Sequence, residues 1–430
     1  MTLREALDRT LLLMRDHLDT RVPDAALIDA LTSVEIVLVG DRDNLTTPEG
    51  QTALVAAAIL CARSGARCYL VIPDVPLSGP QPPLKSRDLA TALFDLGADL
   101  LPGGVFYEGP PDHVADVAVI IGDSAWPGRA AHTWHLSGTP WAGSIAPQGA
   151  RWSARGSPFG ASVAGALVGG EAFKIAMRRL RSWAASMPLF DQYFAPTVRA
   201  ELSLAPISTP TLAPRVERFD FIGGGAITHA TLFALARVPG LSATGRVIEP
   251  GVADAPDLNR YMLLRRSAID VPKVESLASV DFENLKVSAV RARFDDETVR
   301  TIGPLAADVL VGVDDIPSRW AVQRARPGWL GVGASSHYSA QISFHSPGLP
   351  CAICLHPHDD DAFGPAPTAA FVSFWAGIWL ASRFVRHAAG KSLRAEHQQV
   401  YSTMLRPDLP GAVWLSPVHP RPNCSLRCPL

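Results

Sequence analysis

The sequence predicts an α/β protein: two Rossmann-like, doubly wound sheets in tandem, followed by a zinc-bound C-terminal tail. Three observations predict it. Apolar strand-like runs alternate with helix-like stretches, the pattern of a parallel sheet covered by helices on both faces. A set of landmarks occurs twice in the same order, which points to an internal duplication. Cys351-x-x-Cys354 and Cys424-x-x-x-Cys428 stand far apart with the spacing of a four-thiolate structural zinc site.

The chain opens with "MTLREALDRTLLLMRDHLD". Charges interrupt its apolar residues every few positions, predicting an amphipathic helix and not a signal peptide. "VEIVLVG" (34–40) predicts a buried strand, "TALVAAAILCARSG" a helix and "RCYLVIPD" a second strand. The order returns between 217 and 250 in "VERFDFIGGG", "THATLFALARVPG" and "ATGRVIEP". "ADVAVIIGDS" (115–124) resembles "ADVLVGVDDI" (307–316). The Trp-x-Gly segments "TPWAGSIAPQG" and "PGWLGVGASSH" come next, and small-residue apolar helices at 159–180 and 367–387 close each half. The Pro-rich stretch "APISTPTLAPRVE" (205–217) reads as a linker. The expected domains are therefore 1–200 and 217–430, joined by 201–216.

Composition excludes several function classes. The net charge of −2 and the absence of a long basic run argue against nucleic acid as a partner. The longest apolar run, "FVSFWAGIWLASRFV", is too short to span a bilayer and predicts a buried helix. A cytoplasmic protein without a membrane partner is expected. Cys61 on an apolar helix and Cys68 at a strand start read as core thiols.

The halves differ where chemistry would sit. After its first strand the first half has "GDRDNLTTPEG", with acids where a phosphate would lie. A helix N-terminus attracts anions only if its N–H groups are free and no negative charge is added. The first half is therefore expected to keep the fold without nucleotide binding. The second half has "GGGAITH", a glycine loop with Thr228 at the last glycine position. Alone, this loop admits NAD, ATP or no ligand. Glu249, 26 residues after Gly223, ends the second strand and suits a ribose. Arg260 and Lys273 follow, cations that a triphosphate needs and NAD does not. Each residue also has a plainer reading. Lys273 suits a solvated first helical turn, and Asp314 and Asp315 suit caps of the helix beginning "IPSRW".

"GGGAITH", "DLNRY", "PKVES" and "VLVGVDDIPSRW" together resemble the ThiF/MoeB/ubiquitin-activating superfamily over about 217–430. That resemblance implies two adenylation domains in one chain, the first inactive and the second active. It implies ATP- and Mg²⁺-dependent adenylation of a carboxylate, the C-terminus of a ubiquitin-like protein or a peptide. On it, Arg260, Lys273 and Asp314 are catalytic, and Asp314 holds Mg²⁺. Gly223, Gly225, Ala226, Glu249, Asn259 and Asp315 complete the ATP site, and Arg319 follows Asp314 by five residues. Arg4 or Arg9 of the first half would supply a further cation. Cys351, Cys354, Cys424 and Cys428 would hold structural Zn²⁺, with His356 or His358 as an alternative fourth ligand.

The chain departs from the pattern at Thr228, at Glu249 for Asp, at Gly251 for an acid, and at Asp257 and Asp315 for Asn. The two added acids predict weaker phosphate affinity. No cysteine lies between Asp315 and Pro350, so no thioester on this chain is expected. The acyl group would pass to a downstream conjugating or sulfur-transfer partner. His337 and His345 read as strand-edge residues near the substrate tail. The competing reading is a non-catalytic docking protein that presents a peptide to a partner enzyme. An NAD-dependent oxidoreductase is disfavoured, because nothing offers hydride chemistry.

Overall fold

The computed structural model describes residues 1–152, 156–206, 209–358, 366–391, 398–426 and 428. The principal elements of the first half are α1 (Leu3–Arg15), β1 (Glu35–Val39), α2 (Pro48–Arg63), β2 (Arg67–Val71), β3 (Phe106–Glu108), β4 (Ala115–Ile121), β5 (Ala130–Gly138), β6 (Ala142–Ala146), α3 (Phe159–Arg179) and β7 (Ala200–Ser203). The second half runs β8 (Arg218–Ile222), α4 (Ala226–Leu235), β9 (Ala243–Ile248), β10 (Leu285–Val290), β11 (Asp308–Val311), α5 (Ile316–Arg324), β12 (Trp329–Ser336), β13 (Ser339–His345), α6 (Ala370–Ala388), β14 (Gln398–Thr403) and β15 (Val413–Pro417).

The first sheet has the order β3-β2-β1-β4-β5-β6-β7. The second has β10-β9-β8-β11-β12-β13-β14, with β15 added at its edge. The central strands β1 and β8 pair in parallel with both neighbours. They are buried on both faces, which is why they read as near-continuous apolar runs. Strand order reverses beside each of them, and a crevice opens at the C-terminal end of β8.

Both sheets are mixed and not wholly parallel. β5, β6 and β7 pair antiparallel, as do β12 to β15. The β5–β6 and β12–β13 joins are short hairpins, which cannot link parallel strands. One landmark pair also needs correcting. Trp329 lies on β12, parallel to β11, whereas Trp141 precedes β6, antiparallel to β5. The strand beside β4 is β5, "AAHTWHLSG", which the sequence pattern did not reveal. The Pro-rich join is not a free tether: Leu212 and Val216 are buried, and Trp141 Nε1 donates to the Pro210 carbonyl.

Local chemistry starts the helices as expected. Thr2 and Glu5 form a reciprocal capping box on α1, and Thr47 caps α2 ahead of Pro48. α2 packs on α3, and α4 on α6, through small residues. A Cβ on Gly165 would lie 2.6 Å from Ala56 Cβ, and one on Gly377 would lie 2.3 Å from Ala230 Cβ. The "FVSFWAGIWLASRFV" run forms most of α6 and is buried. Among the described residues no helix is long and apolar enough to cross a membrane. α3 and α6 meet across the halves at Phe173 and Phe371, 5.8 Å between ring centroids. The main hydrophobic core is continuous through both halves.

Candidate functional site

The glycine loop leaves β8 at Gly223, whose φ of +100° favours glycine. α4 begins after Gly225 with no side-chain cap. Its first N–H groups therefore face the crevice without an oxygen from a capping side chain. Thr228 is fully buried, and its hydroxyl donates to the Gly223 carbonyl at 2.6 Å. It closes the turn internally and does not line the crevice.

Gly224, not among the residues expected from the sequence, is also a tight point. A Cβ there would come within 2.9 Å of Glu249 Cγ and 3.2 Å of Lys273 Cβ. The Gly224 N–H donates to Glu249 Oε2 at 3.0 Å, and the Gly251 N–H donates to Oε1 at 2.8 Å. Two backbone donors thus fix the carboxylate that ends β9. Gly224→Ala is expected to push Glu249 and Lys273 apart and destabilise the chain by roughly 1–3 kcal/mol. A thermal melt checks this; an unchanged midpoint would contradict the close packing.

A cavity of about 990 Å³ opens over this loop. Gly225, Ala226, Glu249, Arg260, Lys273, Asp314 and Asp315 line it, from stretches spread over 90 residues of sequence. Gly223 and Asn259 do not. Gly223 sits beneath the loop, and Asn259 is buried, donating to Thr10 Oγ1 of α1 at 3.1 Å. Arg260 donates to Asn259 Oδ1 at 3.0 Å and to the Pro256 carbonyl.

Asp257 ties the two site cations together. It lies 3.2 Å from Arg260 Nη2 and 3.2 Å from Lys273 Nζ. Lys273 Nζ also donates to the Tyr261 hydroxyl at 3.0 Å. Burial works against the charged ammonium, but Tyr261 and Asp257 outweigh it and raise its pKa. Burial pushes the Tyr261 phenol up to about 12, so it stays neutral.

Asp314 and Asp315 differ. Asp315 caps α5, accepting from the Ser318 N–H at 2.8 Å, and pairs with Arg293 at 2.8 Å. Asp314 stands exposed in the cavity mouth. Arg319 beneath them is buried and donates twice to the Val313 carbonyl and once to His356 Nε2. Burial, offset in part by Asp314 and Asp315, lowers its pKa to about 10. Burial and then Arg319 push the His356 imidazole down to about 4, so it accepts as a neutral ring.

Arg9 enters from α1 of the first half. It lines the cavity, and its Nε and Nη1 are buried without a hydrogen-bond partner among the described residues. Burial and then Arg260 lower its pKa. Arg4 is spoken for elsewhere: its Nε donates to Asp24 at 2.6 Å. Among the described residues the wall carries five carboxylates (Glu249, Asp254, Asp257, Asp314, Asp315) and four cations (Arg9, Arg260, Lys273, Arg319), a formal balance of −1. An excess of acids over cations disfavours a bare polyanion.

The corresponding place in the first half is filled by its own side chains. Asn44 Nδ2 donates to Asp41, Asp123 and Ser124, and Asn44 Oδ1 accepts from the Trp152 N–H.

The four tail cysteines converge. Sγ–Sγ distances are 3.7 Å for Cys351–Cys354, 3.4 Å for Cys351–Cys424 and 3.6 Å for Cys424–Cys428. All four sulfurs lie within 4.8 Å of one another. Tetrahedral thiolates about 2.3 Å from a zinc ion would stand about 3.8 Å apart, so the cluster fits such an ion. His356 is engaged by Arg319, and the four thiols form the cluster without it. Cys61 and Cys68 are fully buried, and burial raises both pKa values.

The family model for the BilD N-terminal domain matches residues 35–189. The uncharacterized protein y4jF of Sinorhizobium fredii (strain NBRC 101917 / NGR234) is 24% identical over 335 residues, covering 76% of this chain and 61% of that protein. The crystal structure of E. coli MccB with ATP aligns over 49% of this chain and 66% of that one, at 16% identity and a TM-score of 0.40. PaaA aligns over 47% of this chain and 64% of that one, at 12% identity and a TM-score of 0.37. This chain thus spans less than two thirds of the length of each of these proteins.

Proposed function

We propose that the second half binds Mg·ATP and adenylates a carboxylate, the C-terminus of a peptide or a ubiquitin-like protein. One observation carries this reading. The cavity gathers Glu249, Arg260, Lys273 and Asp314 around the uncapped start of α4, together with Arg9, whose Nε and Nη1 have no partner among the described residues. The chain would then be a single-chain pair, residues 1–200 inactive and 217–430 active. The matching strand orders and the filled first-half site favour that arrangement.

In the reaction, a substrate carboxylate oxygen attacks the α-phosphorus. The bond to the bridging oxygen breaks, pyrophosphate leaves and an acyl-adenylate remains. Backbone N–H groups at Gly225 and Ala226 would hold phosphate oxygens, and Glu249 would fix the ribose hydroxyls. Arg9, Arg260 and Lys273 would face the negative charge that builds on the phosphates. Mg²⁺ held through Asp314 would neutralise phosphate oxygens. Asp315, already bonded to Ser318 and Arg293, would support the helix start. Cys61 and Cys68 are too buried to take the acyl group, so a partner's amine, sulfur carrier or thiol would accept it.

The test is pyrophosphate exchange into ATP with candidate peptides and small proteins, each with a free and an amidated C-terminus. Exchange only with the free carboxylate is expected. Binding of both forms with no exchange would favour the docking reading, which the engagement of both Arg260 and Lys273 by Asp257 supports.

The tail would hold Zn²⁺ through Cys351, Cys354, Cys424 and Cys428. One equivalent of zinc per chain is expected by elemental analysis, and Cys424→Ser should lose it and become more sensitive to protease near the tail. Full zinc content in that variant would contradict the ligand set. His356 follows Cys354 by two residues and accepts from Arg319 of the cavity wall, so metal loss should also weaken nucleotide binding.

A further inference from the structure

Arg63 ends α2, and its side chain is fully buried at 0% exposure. Nη1 donates to the Leu258 carbonyl and Nη2 to the Leu264 carbonyl, both at 2.5 Å; Nη2 also reaches Met262 at 3.4 Å. All three acceptors lie in the loop that carries Asn259, Arg260 and Tyr261. Residues 258–264 lie between two 3₁₀ turns, Ala255–Asp257 and Arg266–Ala268, and are themselves held in hydrogen-bonded turns. His229 of α4 holds it from the other half's own side, its Nδ1 accepting from the Leu263 N–H at 3.3 Å. Among the described residues no carboxylate pairs with Arg63. A cation buried without a counter-ion is costly. Donation to three carbonyls of one loop converts it into a fixed loop geometry.

The second half sends back a matching arginine. Arg237, just beyond α4, is also buried. It donates to Gln81 Oε1 at 3.0 Å, to the Pro82 carbonyl at 2.7 Å and to Phe233 of its own helix at 2.8 Å. Gln81 and Pro82 lie between β2 and β3, as residues 258–264 lie between β9 and β10. The two arginines share burial, contact type and place in the order of elements. Only the loop held by Arg63 carries residues of the candidate ATP site.

We infer that Arg63 is a positioning residue for that site: the inactive half sets Arg260 and Tyr261 through the backbone they ride on. This rests on the nucleotide reading above. It also gives the first half a task beyond the contribution of Arg9.

Arg63→Met and Arg237→Met in the full chain separate the idea from general damage at the junction. Both remove a buried guanidinium, and both should lower the melting temperature. Arg63→Met is expected to raise the dissociation constant for Mg·ATP by about tenfold or more, the scale of a misplaced binding group. It should also speed amide hydrogen exchange within 258–264. Arg237→Met should leave the dissociation constant within about twofold, a change of less than 1 kcal/mol. Its faster exchange should fall within 77–89. Equal losses of affinity in the two variants would overturn the inference, as would unchanged exchange at 258–264 in Arg63→Met. Should Arg63→Met fail to fold, Arg63→Lys, which keeps the charge but cannot reach three carbonyls, is read by the same criteria. If the unaltered chain binds no Mg·ATP, the nucleotide reading falls. Exchange alone then decides whether Arg63 holds the loop: faster exchange at 258–264 only in the Arg63 variant upholds it, and no local difference refutes it.

Discussion

Asp314→Ala is expected to lower pyrophosphate exchange by about 10³-fold or more, the scale of losing a principal source of transition-state charge stabilisation. Among the described residues the cavity wall carries more acids than cations, so phosphates would depend on an added metal to enter it. Asp314 and Asp254 are the exposed acids of the described lining, and among the described residues Asp314 shows no capping bond of the kind that engages Asp254 and Asp315. Its removal should leave the melting temperature nearly unchanged. Asp315→Asn makes the contrast. It removes the ion pair with Arg293 and alters the α5 cap, costing up to about 1 kcal/mol of stability. It should reduce exchange far less. Equal activity losses from the two substitutions would mean that Asp314 has no special relation to a metal.

Arg9→Ala should reduce kcat by about 10²-fold while changing KM much less, as expected for a donor that meets charge mainly in the transition state. The guanidinium lines the cavity with Nε and Nη1 unpartnered among the described residues, and burial and then Arg260 lower its pKa. Arg9→Lys should recover part of the rate, because a point charge replaces a planar fork. Arg4→Ala is the matched control on the same helix, since Arg4 is bound to Asp24 away from the cavity. An Arg4 effect as large as the Arg9 effect would show that α1 acts only by packing.

Much of this site was legible in the residues. The strand–glycine loop–helix unit, the acid at the end of β9 and the pair "VDD" after β11 are local signals, each fixed by short-range geometry. The cysteine spacing anticipated the convergence of four sulfurs. The rest depends on distant contacts. Asp257 looked like a repulsive substitution, yet it binds Arg260 and Lys273 at once, and no spacing rule reveals that. Thr228 departs from the glycine pattern, but its hydroxyl turns inward to Gly223. Gly224 lay between two chosen glycines, and its necessity comes from Glu249 and Lys273, side chains more than 20 residues away. The choice between Arg4 and Arg9 needed the packing of α1 over 255–259. The misplaced tryptophan landmark has the same origin. A period-two apolar pattern marks a strand but not its neighbour, so β5 and β6 could not be ranked against β12.

The most direct measurement is a calorimetric titration of the purified chain with Mg·ATP, repeated with ATP in excess chelator and in the presence of NAD. Saturable binding at one site per chain, lost in chelator and in Asp314→Ala and indifferent to NAD, is the expected result. No saturable binding at millimolar Mg·ATP, or displacement of ATP by NAD, would contradict an adenylating site in the second half and leave its glycine loop as part of a docking scaffold or a different nucleotide pocket.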